Sequence, residues 1–353
     1  MRDGRYLDID EDDVRVRARG GSRPRTRKRP KHENARLGFV TAVNRGRYQC
    51  LVGDLSVVAM KARELGRGSI VVGDIVALVG DLSGRPGTLA RIVRVEKRSS
   101  VLRRTADDTD PVERVIVANA DQMVIVTALA DPDPQPRFID RCLVAAYEAG
   151  LDPLLCLTKS DLASPDALLD IYAPLGLRWV VTRRDGDLSA LREQLMGRIS
   201  VLVGPSGVGK STLVNLLVPE ARRAVGDVNV VTGRGRHTST SAVALPIGAP
   251  ASAESVERLH AAREGRIDRS ELDYGWIIDT PGVRSFGLAH VTPDDLLAAF
   301  PDLDDAVADC PDHCSHLGDG CALDEWLARG ELNPARVTSF RRLLASREGE
   351  LER

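Results

Sequence analysis

Residues 1–35 show no hydrophobic periodicity and predict a disordered tail. From residue 37 to about 102 the apolar positions fall into short β-rich runs, at 38–43, 48–52, 69–72, 74–79 and 89–95. Gly and Asp turn signals separate them. About five strands in so short a stretch predict a small closed barrel of the OB or SH3-like kind. Residues 103–114 are polar and acidic and predict a linker. Continuous apolar runs then alternate with helical spacing. Buried strands are predicted over 122–128, 153–157, 199–203 and 276–279, with helices over 137–149, ending at Gly150, and from Ser211 to Leu217. This alternation implies a mostly parallel sheet covered by helices on both faces, with ligand loops at the carboxyl ends of the strands. From Thr292 the pattern turns helical, over 293–300 and 323–329, and Asn333 and Pro334 open a last, arginine-rich helix.

Charge changes the picture at the N-terminus. The 353 residues carry a formal net charge of −2, yet residues 14–32 hold nine Lys/Arg and no Asp/Glu. The remainder therefore sums to −2 − 9 = −11. Such a basic run is a solvated tail, a loose attachment to a polyanion such as RNA, or both. No apolar run approaches the roughly 18 residues of a membrane span, and no apolar signal segment opens the chain. The expectation is a cytoplasmic protein. Cys50, Cys142 and Cys156 sit singly in apolar surroundings and read as small buried hydrophobes. Cys310, Cys314 and Cys321 cluster with His313 and His316, which suggests metal before disulfides.

Three short motifs carry the chemistry, and their order is unusual. Residues 204–211, Gly204, Pro205, Ser206, Gly207, Val208, Gly209, Lys210 and Ser211, fit the phosphate-loop pattern, and Thr212 continues into the helix. Backbone N–H groups from 206–211 would surround a β-phosphate, with Lys210 reaching the β- and γ-phosphates and Ser211 ligating Mg²⁺. Asp279, Thr280, Pro281 and Gly282 fit the D-x-x-G element. Asp279 would hold Mg²⁺ through water, and the Gly282 N–H would face the γ-phosphate. Thr158, Lys159, Ser160 and Asp161 fit the guanine-reading [NT]-K-x-D element. The Asp161 carboxylate matches the paired N1–H and N2–H₂ donors of guanine, whereas adenine would leave it unpaired. Lys159 would lie along the purine face. Thr182, in the run 180–183, is a candidate for a second base-contacting loop. In an ordinary GTPase the base motif follows the other two; here it precedes them, which is a circular permutation.

Val283 stands where Ras-like enzymes use a water-orienting glutamine, and valine cannot orient water. Slow intrinsic hydrolysis or another group is implied. Residues 233–240, where switch I belongs, offer His237 to position water and Thr238 or Thr240 to join the Mg²⁺ shell, although on pattern alone His237 reads as a surface histidine.

Taken together, these residues resemble the circularly permuted ribosome small-subunit-dependent GTPase A family. The resemblance runs from about residue 36 to 346 and rests most on Gly-Arg-Gly-Arg-His-Thr at 233–238, residues 204–212, 279–284 with 286–288, and the C-terminal Cys/His cluster. It implies an α/β protein with an N-terminal OB-type barrel (36–103), a circularly permuted P-loop GTPase domain (115–290) and a small α-helical zinc-binding domain (291–353). It implies GTP/GDP and Mg²⁺ as ligands and a late assembly role on the small ribosomal subunit and its rRNA, with hydrolysis stimulated by the subunit. It gives His237 a catalytic part. It also favours Cys310, Cys314, His316 and Cys321 as the ligands of one structural Zn²⁺, since the family's C-x-H step matches Cys314 and His316; His313 is the alternative imidazole. No membrane partner is expected, and a monomer is.

The chain departs from the family in Thr158, which replaces the more usual asparagine, in its basic tail, and in residues 249–273, which read as a charged surface insertion. Two rival readings are a GTP-binding RNA regulator whose hydrolysis is incidental, and a large-subunit assembly GTPase.

Overall fold

Two kinds of apolar pattern produce two kinds of sheet. The computed structural model describes residues 34–66, 70–105, 113–219, 242–248, 252–280, 291–318 and 320–347, together with His32, Phe286 and Leu288. The first kind alternates. Strands β1 (Arg36–Asn44), β2 (Arg47–Val52), β3 (Leu55–Lys61), β4 (Ile75–Gly80) and β5 (Ala90–Val95) pair in the order β1-β2-β3-β5-β4, and β4 returns to β1. Only β3–β5 is parallel. The result is a closed five-stranded barrel of the OB type, filled by Val40, Cys50, Val57, Val76, Leu78 and Ile92.

The strand expected over 69–72 is not one: among its described residues only Val72 makes an isolated bridge, to Val117. The fifth strand is instead β3. Its outward residues Val58 and Met60, and Leu55 at its first position, are apolar and exposed, which blurs the alternation that marks a half-buried strand. The polar stretch at 103–114 is not a plain linker either. β6 (Val101–Thr105) and β7 (Glu113–Ala118) reach into it from either end and pair antiparallel.

The second kind of pattern is continuous. β8 (Gln122–Ala128), β9 (Asp152–Thr158) and β11 (Ile199–Val203) are apolar on both faces, as buried parallel strands must be. With β10 (Arg178–Val181), β12 (Val243–Ile247) and β13 (Gly275–Asp279) they form a sheet of order β10-β9-β8-β11-β13-β12. All neighbours are parallel except β12, which runs antiparallel to β13. β12 also pairs with β1, so sheet and barrel are continuous. Phe39 of β1 meets Trp276 of β13 edge to face at 5.1 Å.

Helices α1 (Pro136–Glu148), α2 (Asp166–Tyr172), α3 (Ser189–Leu195) and α4 (Lys210–Leu217) connect the parallel strands. α1 starts on a proline at its first turn and ends at Gly150, whose φ is +65°.

Residues 252–274 are more than a surface excursion. They hold α5 (Ala253–Arg263), whose Val256, Leu259 and Ala262 enter the main core with Leu272 and Tyr274. The Ala253 N–H donates to the Gly53 carbonyl of the barrel, and Arg263 donates to the Ala120 and Ser99 carbonyls. The segment braces the barrel against the sheet.

After the sheet come α6 (Pro293–Leu297), with a reciprocal Thr292–Asp295 capping box, α7 (Asp304–Ala308), α8 (Ala322–Ala328) and α9 (Pro334–Arg347). Phe300, Leu323, Val337, Phe340 and Leu344 lie in the same core as Ile139 and Leu143 of α1. Among the described residues no helix is long and apolar enough to cross a membrane.

Candidate functional site

The parallel register sets the carboxyl ends of β9, β11 and β13 along one edge. Val203 ends β11, Asp279 lies beside Leu202, and Thr158 lies beside Ala128. The phosphate loop leaves β11 there and enters α4 at Lys210. Gly209, its N-cap, has φ +95°, a left-handed conformation that side chains resist. A Cβ on Gly204 would run into the Val126 carbonyl oxygen, so only glycine lets the loop leave β11 this close to β8. Ser206, Ser211 and Thr212 are exposed, Pro205 is half-buried, and Val208 is buried beneath the loop.

Lys210 Nζ donates to the carbonyls of Gly204 at 2.6 Å and Pro205 at 3.3 Å, folded onto its own loop. Burial lowers its pKa, and the Asp279 carboxylate opposes that shift. Asp279 shows the reverse: burial pushes its pKa up and the Lys210 ammonium pulls it down. The half-buried Asp279 carboxylate is a candidate to hold a cation, and Ser211 lies in the first turn of α4. Thr280 is buried, and its hydroxyl donates to the Leu202 carbonyl at 2.7 Å, pinning the end of β13 to β11.

The base motif reaches this edge from the neighbouring strand. The buried Thr158 hydroxyl donates to the Val208 carbonyl at 2.6 Å and lies 3.3 Å from the Thr127 carbonyl. Segments 50 residues apart in sequence are thereby hydrogen-bonded at one point. Lys159 has φ +58°, and its ammonium donates to the Asp131 carbonyl. The Ser160 N–H donates to the Thr182 carbonyl at 3.3 Å, and the Thr182 N–H donates to Leu157 at 2.7 Å, so Thr182 supports the base motif from β10. Asp161 is exposed. Asp131 and Pro132 were not foreseen at the site. Pro132 faces Gly207, where a Cβ would sit 3.6 Å from the proline ring. The Asp-Pro-Asp-Pro run at 131–134 is a turn signal that could have flagged this loop. His237 and Gly282, with Val283, Thr238 and Thr240, lie outside the described residues.

The second candidate site lies between α7 and α8. Cys310, Cys314, His316 and Cys321 present ligand atoms that all lie within 4.8 Å of one another. Cys310 Sγ is 3.5 Å from His316 Nδ1 and 3.8 Å from Cys321 Sγ, and Cys321 Sγ is 3.8 Å from His316 Nδ1. A tetrahedron with metal–sulfur bonds of about 2.3 Å and metal–nitrogen bonds of about 2.0 Å has edges of roughly 3.5–3.8 Å. Cys310, His316 and Cys321 stand at that spacing and Cys314 lies within 4.8 Å of them, a donor set that suits Zn²⁺. His316 is buried and belongs to the set; His313 is exposed and does not. Arg341 of α9 fixes the loop, donating to the His316 carbonyl at 2.9 Å and pairing with Asp324.

Comparison with known proteins gives the chain a family and a fold. Residues 95–251 match the model of the RsgA GTPase family. A Pseudomonas aeruginosa protein named small ribosomal subunit biogenesis GTPase RsgA is 37% identical over 288 residues, 79% of this chain and 76% of its own length. A Pseudomonas putida protein of the same name is 42% identical over 241 residues, 65% of this chain, and the match spans 63% of that relative. Two solved structures share the fold. YjeQ from Thermotoga maritima superposes with a TM-score of 0.60 over 90% of this chain and 99% of its own, at 24% identity. YloQ, described as a circularly permuted GTPase, superposes with a TM-score of 0.57 over 92% and 99%, at 20% identity. With a phosphate loop, a D-x-x-G strand and a preceding T-K-x-D strand meeting on one sheet edge, the chain belongs to the RsgA GTPase family.

Proposed function

We propose that this protein hydrolyses GTP and acts as a late assembly factor of the small ribosomal subunit, binding its rRNA. The observation that carries the nucleotide half is the Thr158–Val208 hydrogen bond. It joins a base-reading loop to a phosphate-cradling loop, the arrangement a guanine nucleotide requires. In this reading the backbone of 206–211 and Lys210 hold the phosphates, Thr158, Lys159, Ser160 and Asp161 hold the base, and Ser211 and Asp279 hold Mg²⁺. When bound, Mg²⁺ neutralises charge on the β- and γ-phosphates. Gly282 reports the γ-phosphate and His237 positions the attacking water. Cys310, Cys314, His316 and Cys321 hold one structural Zn²⁺.

The name carried by the P. aeruginosa relative supports the ribosomal half. Charge suggests which side meets RNA. The barrel exposes Arg45, Arg47, Arg63, Arg91 and Lys97, whereas residues 291–328 contain ten Asp/Glu and no Lys/Arg. The protein works as a cytoplasmic monomer, and GTP orders its switch segments while hydrolysis releases them.

The test is turnover measured with purified small subunits, with large subunits, and alone, with ATP as a competitor. Small subunits should raise GTP turnover at least tenfold, large subunits should not, and ATP should not compete. Equal turnover in all three arms would overturn the ribosomal reading, and competition by ATP would overturn the guanine reading.

A further inference from the structure

Helix α1 stands between the nucleotide site and the C-terminal helices, and two adjacent residues on it face the latter. Asp140 is buried and pairs with Arg342 of α9 at 3.2 Å, and that guanidinium also lies 5.0 Å from the Tyr172 ring centroid. Arg141 is used differently. One of its Nη groups donates to the carbonyl of Phe286, and the other reaches the Ser346 carbonyl at 3.5 Å.

These two acceptors belong to parts of the chain with distinct roles. Phe286 lies seven residues beyond Asp279, on the segment that leaves the D-x-x-G strand, and its side chain is fully buried in the main core. Ser346 lies in the last turn of α9, where helix carbonyls lack intrahelical partners and a cation is favoured. The planar guanidinium is suited to such a bridge, because its donors point in fixed, divergent directions. On its other side α1 packs on β8 and β9, the strands that end at the nucleotide edge, and the next residue, Cys142, is buried in the main core.

We propose that Arg141 is a positioning residue that couples the nucleotide to the C-terminal helix. It ties the Phe286 carbonyl and the end of α9 to one guanidinium, so a shift of Phe286 with the γ-phosphate changes how firmly α9 is held. The proposal rests on the GTPase reading above.

The test is hydrogen exchange of the full-length, zinc-loaded protein bound to GDP or to a non-hydrolysable GTP analogue. Wild type should show at least a fivefold difference in α9 exchange between the two states. Arg141→Ala should reduce it to less than twofold, with nucleotide affinities within threefold of wild type. Arg141→Lys keeps the charge but can serve only one carbonyl at a time, and it should lose most of the difference too, which covers the case where the alanine variant fails to fold. A wild-type protein with no difference, or variants that keep it while α9 exchanges faster in both states, would overturn the proposal and leave Arg141 a structural tie. Failure to bind any guanine nucleotide would instead overturn the GTPase reading, and the affinity measurement separates the two outcomes.

Discussion

Replacing Thr158 with valine removes one hydroxyl and keeps the shape. A hydroxyl has a single proton, and at 2.6 Å it is committed to the Val208 carbonyl; the Thr127 carbonyl at 3.3 Å is a secondary neighbour. Val208 is 1% exposed, so in the variant its carbonyl loses its partner in a buried place. Leaving such a group unsatisfied costs about 1–3 kcal/mol. Where that cost appears depends on how freely the loop relaxes. Without nucleotide, the glycine-rich run 204–209 can shift until the carbonyl meets water. With nucleotide, the backbone N–H groups must face the phosphates and the loop cannot move. The cost therefore falls mainly on the bound state and weakens binding by roughly 5- to 150-fold. Thr158→Ser keeps the proton and should bind within about threefold of the parent. Titration of fluorescent GDP at fixed Mg²⁺, with melting temperatures alongside, tests this. A valine variant that binds GDP within twofold of the parent would refute the reasoning, whether or not its melting temperature falls.

Asp279→Asn should raise the melting temperature of the nucleotide-free protein near neutral pH while abolishing the Mg²⁺-dependent part of GDP affinity. The sign follows from its raised pKa: stability from the protonated carboxyl is present at low pH and lost as pH rises through the folded value, so the charged group is a cost at pH 7. Melting curves from pH 4 to 8 check it; parent and variant should converge at the acid end, and parallel curves would contradict the assignment. Stripping metal with a chelator should release about one Zn²⁺ per chain and speed amide exchange in α8 and α9. Because Leu323, Val337 and Phe340 share a core with α1, GDP affinity should also fall. Unchanged exchange, or no zinc released, would remove the metal from the structure's account.

The nucleotide motifs were legible in the sequence because each is contiguous and its chemistry is local. A glycine-rich turn between a buried strand and a helix turns backbone N–H groups toward one point, as a phosphate site needs, and a carboxylate after T-K-x offers the paired acceptors that would suit guanine. The continuous apolar runs at 122–128, 153–157 and 199–203 likewise marked buried parallel strands, since two covered faces leave no polar alternation. Even the permutation is a statement about order along the chain. Other features depended on partners far away in sequence. β3 carries exposed apolar residues on its outer face and becomes a strand only by pairing with β2 and β5. The charged segment containing α5 reads as surface until Val256 and Leu259 find the main core and Arg263 finds the Ala120 carbonyl. Likewise, nothing local tells Arg141 from the other arginines of the chain. Side-chain chemistry and short-range geometry are written residue by residue, whereas pairing, burial and the bridging of distant carbonyls are cooperative. Those are decided when the closed barrel, the sheet and the C-terminal helices are brought into contact.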